Sequence, residues 1–203
     1  MNRALRTMLM AILALPAWSP HVHGVDGQSI AEQCDQCHGS SGRSEDSGVP
    51  SIGGFSEYAI IDLLDSFRIG FRQGRPVTLP DGTETDMVEI SRALSDEEIE
   101  AVAVRYARET WRPHKQPFDT ALAKRGAEIH LGKCDKCHSG GGSVADDDLA
   151  ILAGQWREYL KMEFEDFDRG ARRMVDKMKA KFETLSDADK AALLEFYVSG
   201  GNL

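Results

Sequence analysis

The stretch Cys34-Asp35-Gln36-Cys37-His38 recurs 100 positions later as Cys134-Asp135-Lys136-Cys137-His138. The pattern C-x-x-C-H is the attachment site of a c-type haem. Two thiols add across the haem vinyl groups, the two-residue spacer sets their separation, and the histidine that follows is presented to the iron. Between them the two copies use all 4 cysteines of the chain. A zinc site made from two C-x-x-C pairs spaces them by about 15–20 residues, whereas Cys37 and Cys134 stand 97 apart. Two separate zinc sites would each have three ligands of the four that a closed site takes. A thioredoxin-like pair needs a βαβ setting, and no strand-rich pattern surrounds either motif. Two covalent haems are therefore expected, with Cys34, Cys37, Cys134 and Cys137 as the attachment residues, His38 and His138 as iron ligands, and no disulfides.

The match extends beyond the motifs. At the same offset of 100, Gly54 pairs with Gly154, Phe67 with Phe167, Gly70 with Gly170 and Arg72 with Arg172. Further on the offset is 91, where Met87, Leu94, Ser95, Asp96 and Tyr106 fall on Met178, Leu185, Ser186, Asp187 and Tyr197. The first half thus carries nine extra residues between Arg72 and Met87, rich in turn formers such as Gly74-Arg75-Pro76 and Pro80-Asp81-Gly82. A period near 100 means two domains, since solenoid repeats run about 20–50 residues. The expected division is a leader over 1–24, a first domain over 25–110, a connector over 111–120 and a second domain over 121–203.

Each half reads as helical. A first helix leads into each motif, and a glycine-rich loop follows it. Ile60, Leu63, Leu64 and Phe67 then form one apolar stripe at i, i+3, i+4 and i+7, matched by Leu160, Phe164 and Phe167. Closing helices are announced by the capping patterns Ser95-x-x-Glu98 and Ser186-x-x-Asp189. They should turn Ile99, Val102, Ala103 and Tyr106, and Leu193, Leu194 and Tyr197, inward.

The first residues have the form of a secretory signal: Arg3 and Arg6, an apolar run from Met8 to Trp18, and Val22-His23-Gly24 for cleavage. The run is too short to span a bilayer, so no membrane span is expected. Export suits c-type haem attachment, which in bacteria takes place outside the cytoplasm, and a periplasmic location follows. Without residues 1–24 the chain keeps 22 basic against 33 acidic residues, a net −11. That balance argues against nucleic acid and anionic membrane surfaces and favours a neutral or basic docking face.

A helix, C-x-x-C-H, loops and helices, a methionine, and a closing helix with an inward tyrosine together resemble the class I cytochrome c fold, here in tandem and all-α. The second half, with Lys115 to Ala123, Ile151-Leu152-Ala153-Gly154-Gln155-Trp156 and Arg172-Arg173-Met174, resembles the di-haem cytochrome subunit of flavocytochrome c sulfide dehydrogenase. The class I resemblance implies methionine as second axial ligand, whose soft thioether raises the potential. Met87 stands 19 residues before Tyr106, and Met178 stands 19 before Tyr197. That shared register selects Met87, and Met178 over Met162 and over its main competitor Met174, one helical turn away; the alternative is that these methionines fill gaps in the core. His130 occupies the place of Ile30, four before the first cysteine, and is expected to pack a helix; His114 falls in the connector. Asp146-Asp147-Asp148 reads as a solvated turn, and Arg169, Arg172 and Arg173 as surface charges or propionate partners.

With both irons six-coordinate the chain itself should not be a catalyst. The resemblance implies a subunit that accepts electrons from a sulfide-oxidising FAD-containing flavoprotein and passes them to a downstream acceptor. The alternatives are a free di-haem shuttle to a terminal oxidase or reductase and, further off, a haem peroxidase, which would need one iron to open.

Overall fold

In the computed structural model, residues 26–79 and 81–203 are described; the expected leader over 1–24, with His21 and His23, lies outside them. The first half begins with α1 (Gly27–His38), capped by the Asp26 side chain on the Gln28 N–H, and runs through the whole Cys34–His38 motif. Its later helices are α2 (Glu57–Arg68), α3 (Met87–Ala93) and α4 (Asp96–Ala107). The second half has α5 (Thr120–Lys133), a glycine-broken turn α6 (Ser139–Gly142), α7 (Arg157–Asp168), α8 (Asp176–Phe182) and α9 (Asp187–Val198). Helix α5 stops one residue before Cys134. Gly132, a poor helix former, precedes this early end, and the second motif is carried on turns anchored to the His130 carbonyl.

Both closing helices start with full capping boxes, Ser95 with Glu98 and Ser186 with Asp189. In each half the first helix crosses the last. A Cβ at Gly27 would meet the Ala101 carbonyl, and one at Gly126 would meet the Ala192 carbonyl and Phe196, so glycine permits the close crossing. Ile99, Val102, Ala103 and Tyr106 are buried on α4, as are Leu193 and Tyr197 on α9; Leu194 is half-buried against the same cluster.

The duplication also shows in the loops. The Gly42 carbonyl accepts from Ile52 and Gly53, and the Gly142 carbonyl from Leu152 and Ala153. Gly54 N–H reaches the Tyr106 carbonyl at 2.9 Å, and Gly154 N–H the Tyr197 carbonyl at 2.7 Å. The two halves join at an isolated antiparallel bridge between the duplicated residues Arg72 and Arg172. There Gln73 N–H donates to Ala171 and Arg173 N–H to Phe71.

The extra residues of the first half form a small hairpin, β1 (Val77–Thr78) with β2 (Glu84–Thr85), paired Val77 to Thr85 and Thr78 to Glu84. At its base Arg75 reaches into the second half. The guanidinium donates to both Asp166 oxygens, at 3.1 and 2.6 Å, and to the Met162 carbonyl at 3.1 Å. The insert therefore straps the first half to α7.

Candidate functional site

Helix α1 delivers Cys34, Cys37 and His38 to one side of a crevice of about 430 Å³. Asp86 caps α3 through the Val88 and Glu89 N–H groups and sets Met87 as its first residue, and Met87 lines the same crevice. Ile30, Leu64, Phe67, Val102 and the hairpin's Val77 contribute to an apolar lining. So Cys34, Cys37, His38 and Met87 come together in one cavity.

His38 is oriented by the Pro50 backbone. Its Nδ1 is 2.9 Å from the Pro50 carbonyl, and an N–H there commits Nδ1 as donor and leaves Nε2 as the basic nitrogen, the arrangement in which a histidine ligates. Burial lowers the His38 pKa, outweighing the Pro50 hydrogen bond, which keeps the ring in the neutral form a metal takes. Asp35 braces the motif by accepting from Ser41 and Gly42 N–H, both at 3.2 Å, and from the Tyr106 hydroxyl at 2.8 Å. Burial, then the nearby Cys34, pushes the Tyr106 phenol far up, so it serves as a neutral hydrogen-bond donor.

In the second half Cys134, Cys137 and His138 follow α5, and Met178 stands in the first turn of α8. Phe182 anchors α8 on α7 against Phe164 and Phe167, with ring centroids 6.0 and 5.3 Å away. Lys133 Nζ reaches Thr184 Oγ1 at 2.6 Å and ties the end of α5 beside the end of α8. Burial, then His130, pushes His138 down to about 4. His130 is buried in the α5–α9 crossing, its Nδ1 3.0 Å from the Tyr197 hydroxyl and its Nε2 3.5 Å from Asp135. Met174 lies before α8 begins, in the segment after the Arg172 bridge. Met162 faces the first crevice, which takes it away from the second motif. Asp147 holds the backbone just after His138, accepting from the Ser139 N–H and hydroxyl.

Sequence reasoning missed two features. The first crevice takes part of its wall from the other half: Tyr159, Met162, Glu163 and Asp166 line it from α7. The signal was faint, since Glu163 and Asp166 stand where the duplication has Leu63 and Ser66. Secondly, His114 in the connector is buried, 2.8 Å from Ser51 Oγ, and stacked on Trp156 at 3.9 Å between centroids. It belongs to a seam in which Gln155 accepts from Ser51 N–H at 3.1 Å and donates to its carbonyl at 2.6 Å. Trp156 Nε1 donates to Ser44, Trp111 Nε1 to Ala153, and Gln116 Nε2 to Gln155, the first across the halves.

The residues fit a haem in the first crevice: an apolar lining, two thiols on consecutive turns of α1, a hydrogen-bonded neutral histidine and a thioether in the same lining. When bound, haem supplies a one-electron iron couple. The chain's residues hold it, shed water from it and surround it with fixed charge.

No family model matches the sequence. The cytochrome c4 of Azotobacter vinelandii is 26% identical, over 98% of this chain and 99% of its own length. A thiosulfate dehydrogenase electron acceptor of Stutzerimonas stutzeri (strain A1501) is 28% identical, over 90% of each chain. The crystal structure of reduced recombinant cytochrome c4 from Pseudomonas stutzeri superposes with a TM-score of 0.69 at 25% identity, covering 87% of this chain and 97% of the other. Motifs, fold and relatives agree: the chain is a mostly helical pair of tandem class I cytochrome c domains that carries two covalent haem c groups, a di-haem electron-transfer protein similar to the cytochromes c4.

Proposed function

We propose that this chain is an exported di-haem carrier that accepts electrons from an oxidoreductase acting on a reduced inorganic sulfur compound, thiosulfate before sulfide, and passes them to a downstream acceptor. The observation that carries it is the near full-length match to a thiosulfate dehydrogenase electron acceptor, together with a first crevice that gathers Cys34, Cys37, His38 and Met87. The axial pairs are His38 with Met87 and His138 with Met178, which leaves neither iron open to substrate and makes the chain a relay, not a catalyst. The domains are 25–110 and 121–203, joined by 111–120. Residues 1–24 direct export to the periplasm and are removed near Gly24. Among the described residues no helix is long and apolar enough to cross a membrane.

The sulfide reading, with an FAD subunit, rested on segments that now have another role. Gln155 and Trp156 are spent on the seam between the halves and Gln116 ties the connector to the second half, so holding two haem domains together accounts for them without a flavoprotein. Charge supports a directional dock. Residues 25–110 hold 7 basic and 17 acidic side chains, and 121–203 hold 13 and 15, which draws a basic partner face to the first domain.

The test is haem reduction followed spectroscopically. Thiosulfate with a thiosulfate dehydrogenase should reduce both haems within seconds, and salt should slow the reaction. Fast reduction by sulfide with an FAD flavoprotein, and none by the thiosulfate system, would restore the sulfide reading.

A further inference from the structure

The acidic side chains that line the first crevice, Glu163 and Asp166, come from the second domain. Glu163 on α7 is 6% exposed and lines the crevice beside Tyr159 and Asp166. Its two oxygens take different arginines, Oε1 binding Arg72 and Oε2 binding Arg172. These arginines are counterparts in the duplication. They meet in the antiparallel bridge and lie over Phe67 and Phe167 at 4.5 and 4.8 Å. Each also acts electrostatically on the motif histidine of its own half, Arg72 on His38 and Arg172 on His138. The arginine pair is thus nearly symmetric between the two sites. Glu163 is not, because Leu63 stands at the duplicated position. Burial would raise its carboxyl pKa, but Arg172 and Arg72 outweigh that and hold it below the ordinary range, so the anion persists.

We propose that Glu163 is the positioning residue through which the second domain sets the potential of the first haem. Ferric haem carries one more positive charge than ferrous haem. A fixed anion in a dry crevice wall favours the ferric form more than it would in water, and so lowers the potential. The two arginines that Glu163 holds partly mask this effect, and they would exert an opposing pull if it were neutral.

The inference rests on the first haem site assigned above and not on the identity of the electron donor. Its readout is an equilibrium property of the isolated holoprotein, so it stands or falls separately from the thiosulfate reading. Spectroelectrochemical titration that resolves the two haems is the experiment. Glu163→Gln should shift the first haem about tenfold towards the ferrous form, about 59 mV for a one-electron couple, with a smaller shift at the second. Glu163→Asp, which keeps the charge, should stay near the wild-type value. A merely structural role predicts the opposite sign, since a loosened seam admits water, which stabilises ferric iron and lowers the potential. A downward shift, an equal shift at both haems, or no shift would each overturn the proposal. If Glu163→Gln does not assemble, Glu163→Leu, which places there the residue that the first half has at the duplicated position, should likewise raise the first haem's potential; a lowered or unchanged value there overturns it too.

Discussion

Replacing Gln155 by leucine removes the side chain that joins the two halves most directly. Gln155 is 1% exposed and Ser51 2%. The amide accepts from Ser51 N–H at 3.1 Å and donates to Ser51 C=O at 2.6 Å. Leucine fills a similar volume but leaves both backbone groups buried without these partners, at about 1–3 kcal/mol each. Burying leucine in place of an amide returns about 1–2 kcal/mol, so from the middle of these ranges the net loss should be about 2–3 kcal/mol. The assay is urea unfolding of the holoprotein, read by tryptophan emission and by far-UV circular dichroism. Among the described residues the tryptophans are Trp111 and Trp156, and both donate to carbonyls at the seam. Emission should therefore move to lower urea first, with the helical signal following, and the midpoint shift times the slope gives the energy. A change under about 0.5 kcal/mol, within the range of ordinary surface substitutions, would refute the seam as a stabilising contact. If that change came with a loss of electron transfer from a flavoprotein, Gln155 would belong to a docking face instead.

Two further outcomes follow from the same geometry. Burial, then Arg43, pushes His114 down to about 4 in the fold, below about 6.5 for a free histidine. Between those values the unfolded chain binds a proton that the folded one refuses. Stability contributed by neutral His114 is therefore complete above pH 6.5 and lost as pH falls towards 4, by at most about 3 kcal/mol; His114→Gln should flatten that part of a stability-against-pH curve, and an unchanged slope would refute it. In the oxidised protein, Met178→Ala should remove about half of the weak far-red thioether-to-iron absorption and lower one potential, while Met174→Ala should leave both intact. The reverse pattern would move the ligand to the segment before α8.

Much of the fold was legible because its signals are local. The capping boxes at Ser95 and Ser186 lie within four residues, the stripe from Ile60 to Phe67 within eight, and each motif within five. The duplication made every such signal appear twice, which is why a two-domain cytochrome fold followed from the sequence. What lay beyond it depends on residues roughly a hundred positions apart. Leu160, Phe164 and Phe167 announced the inner face of α7, but nothing local said that Glu163 and Asp166 would be buried there. An acid is buried only where its partner arrives, and Arg72 and Arg75 arrive from the other half. Likewise the nine-residue insert read as a turn-rich loop, and only in the folded chain does Arg75 make it a strap. Pattern and spacing determined that there would be two haem domains. The long-range ion pairs decided that the first crevice would be completed by the second domain, because desolvated charge is stable only in the assembled pair.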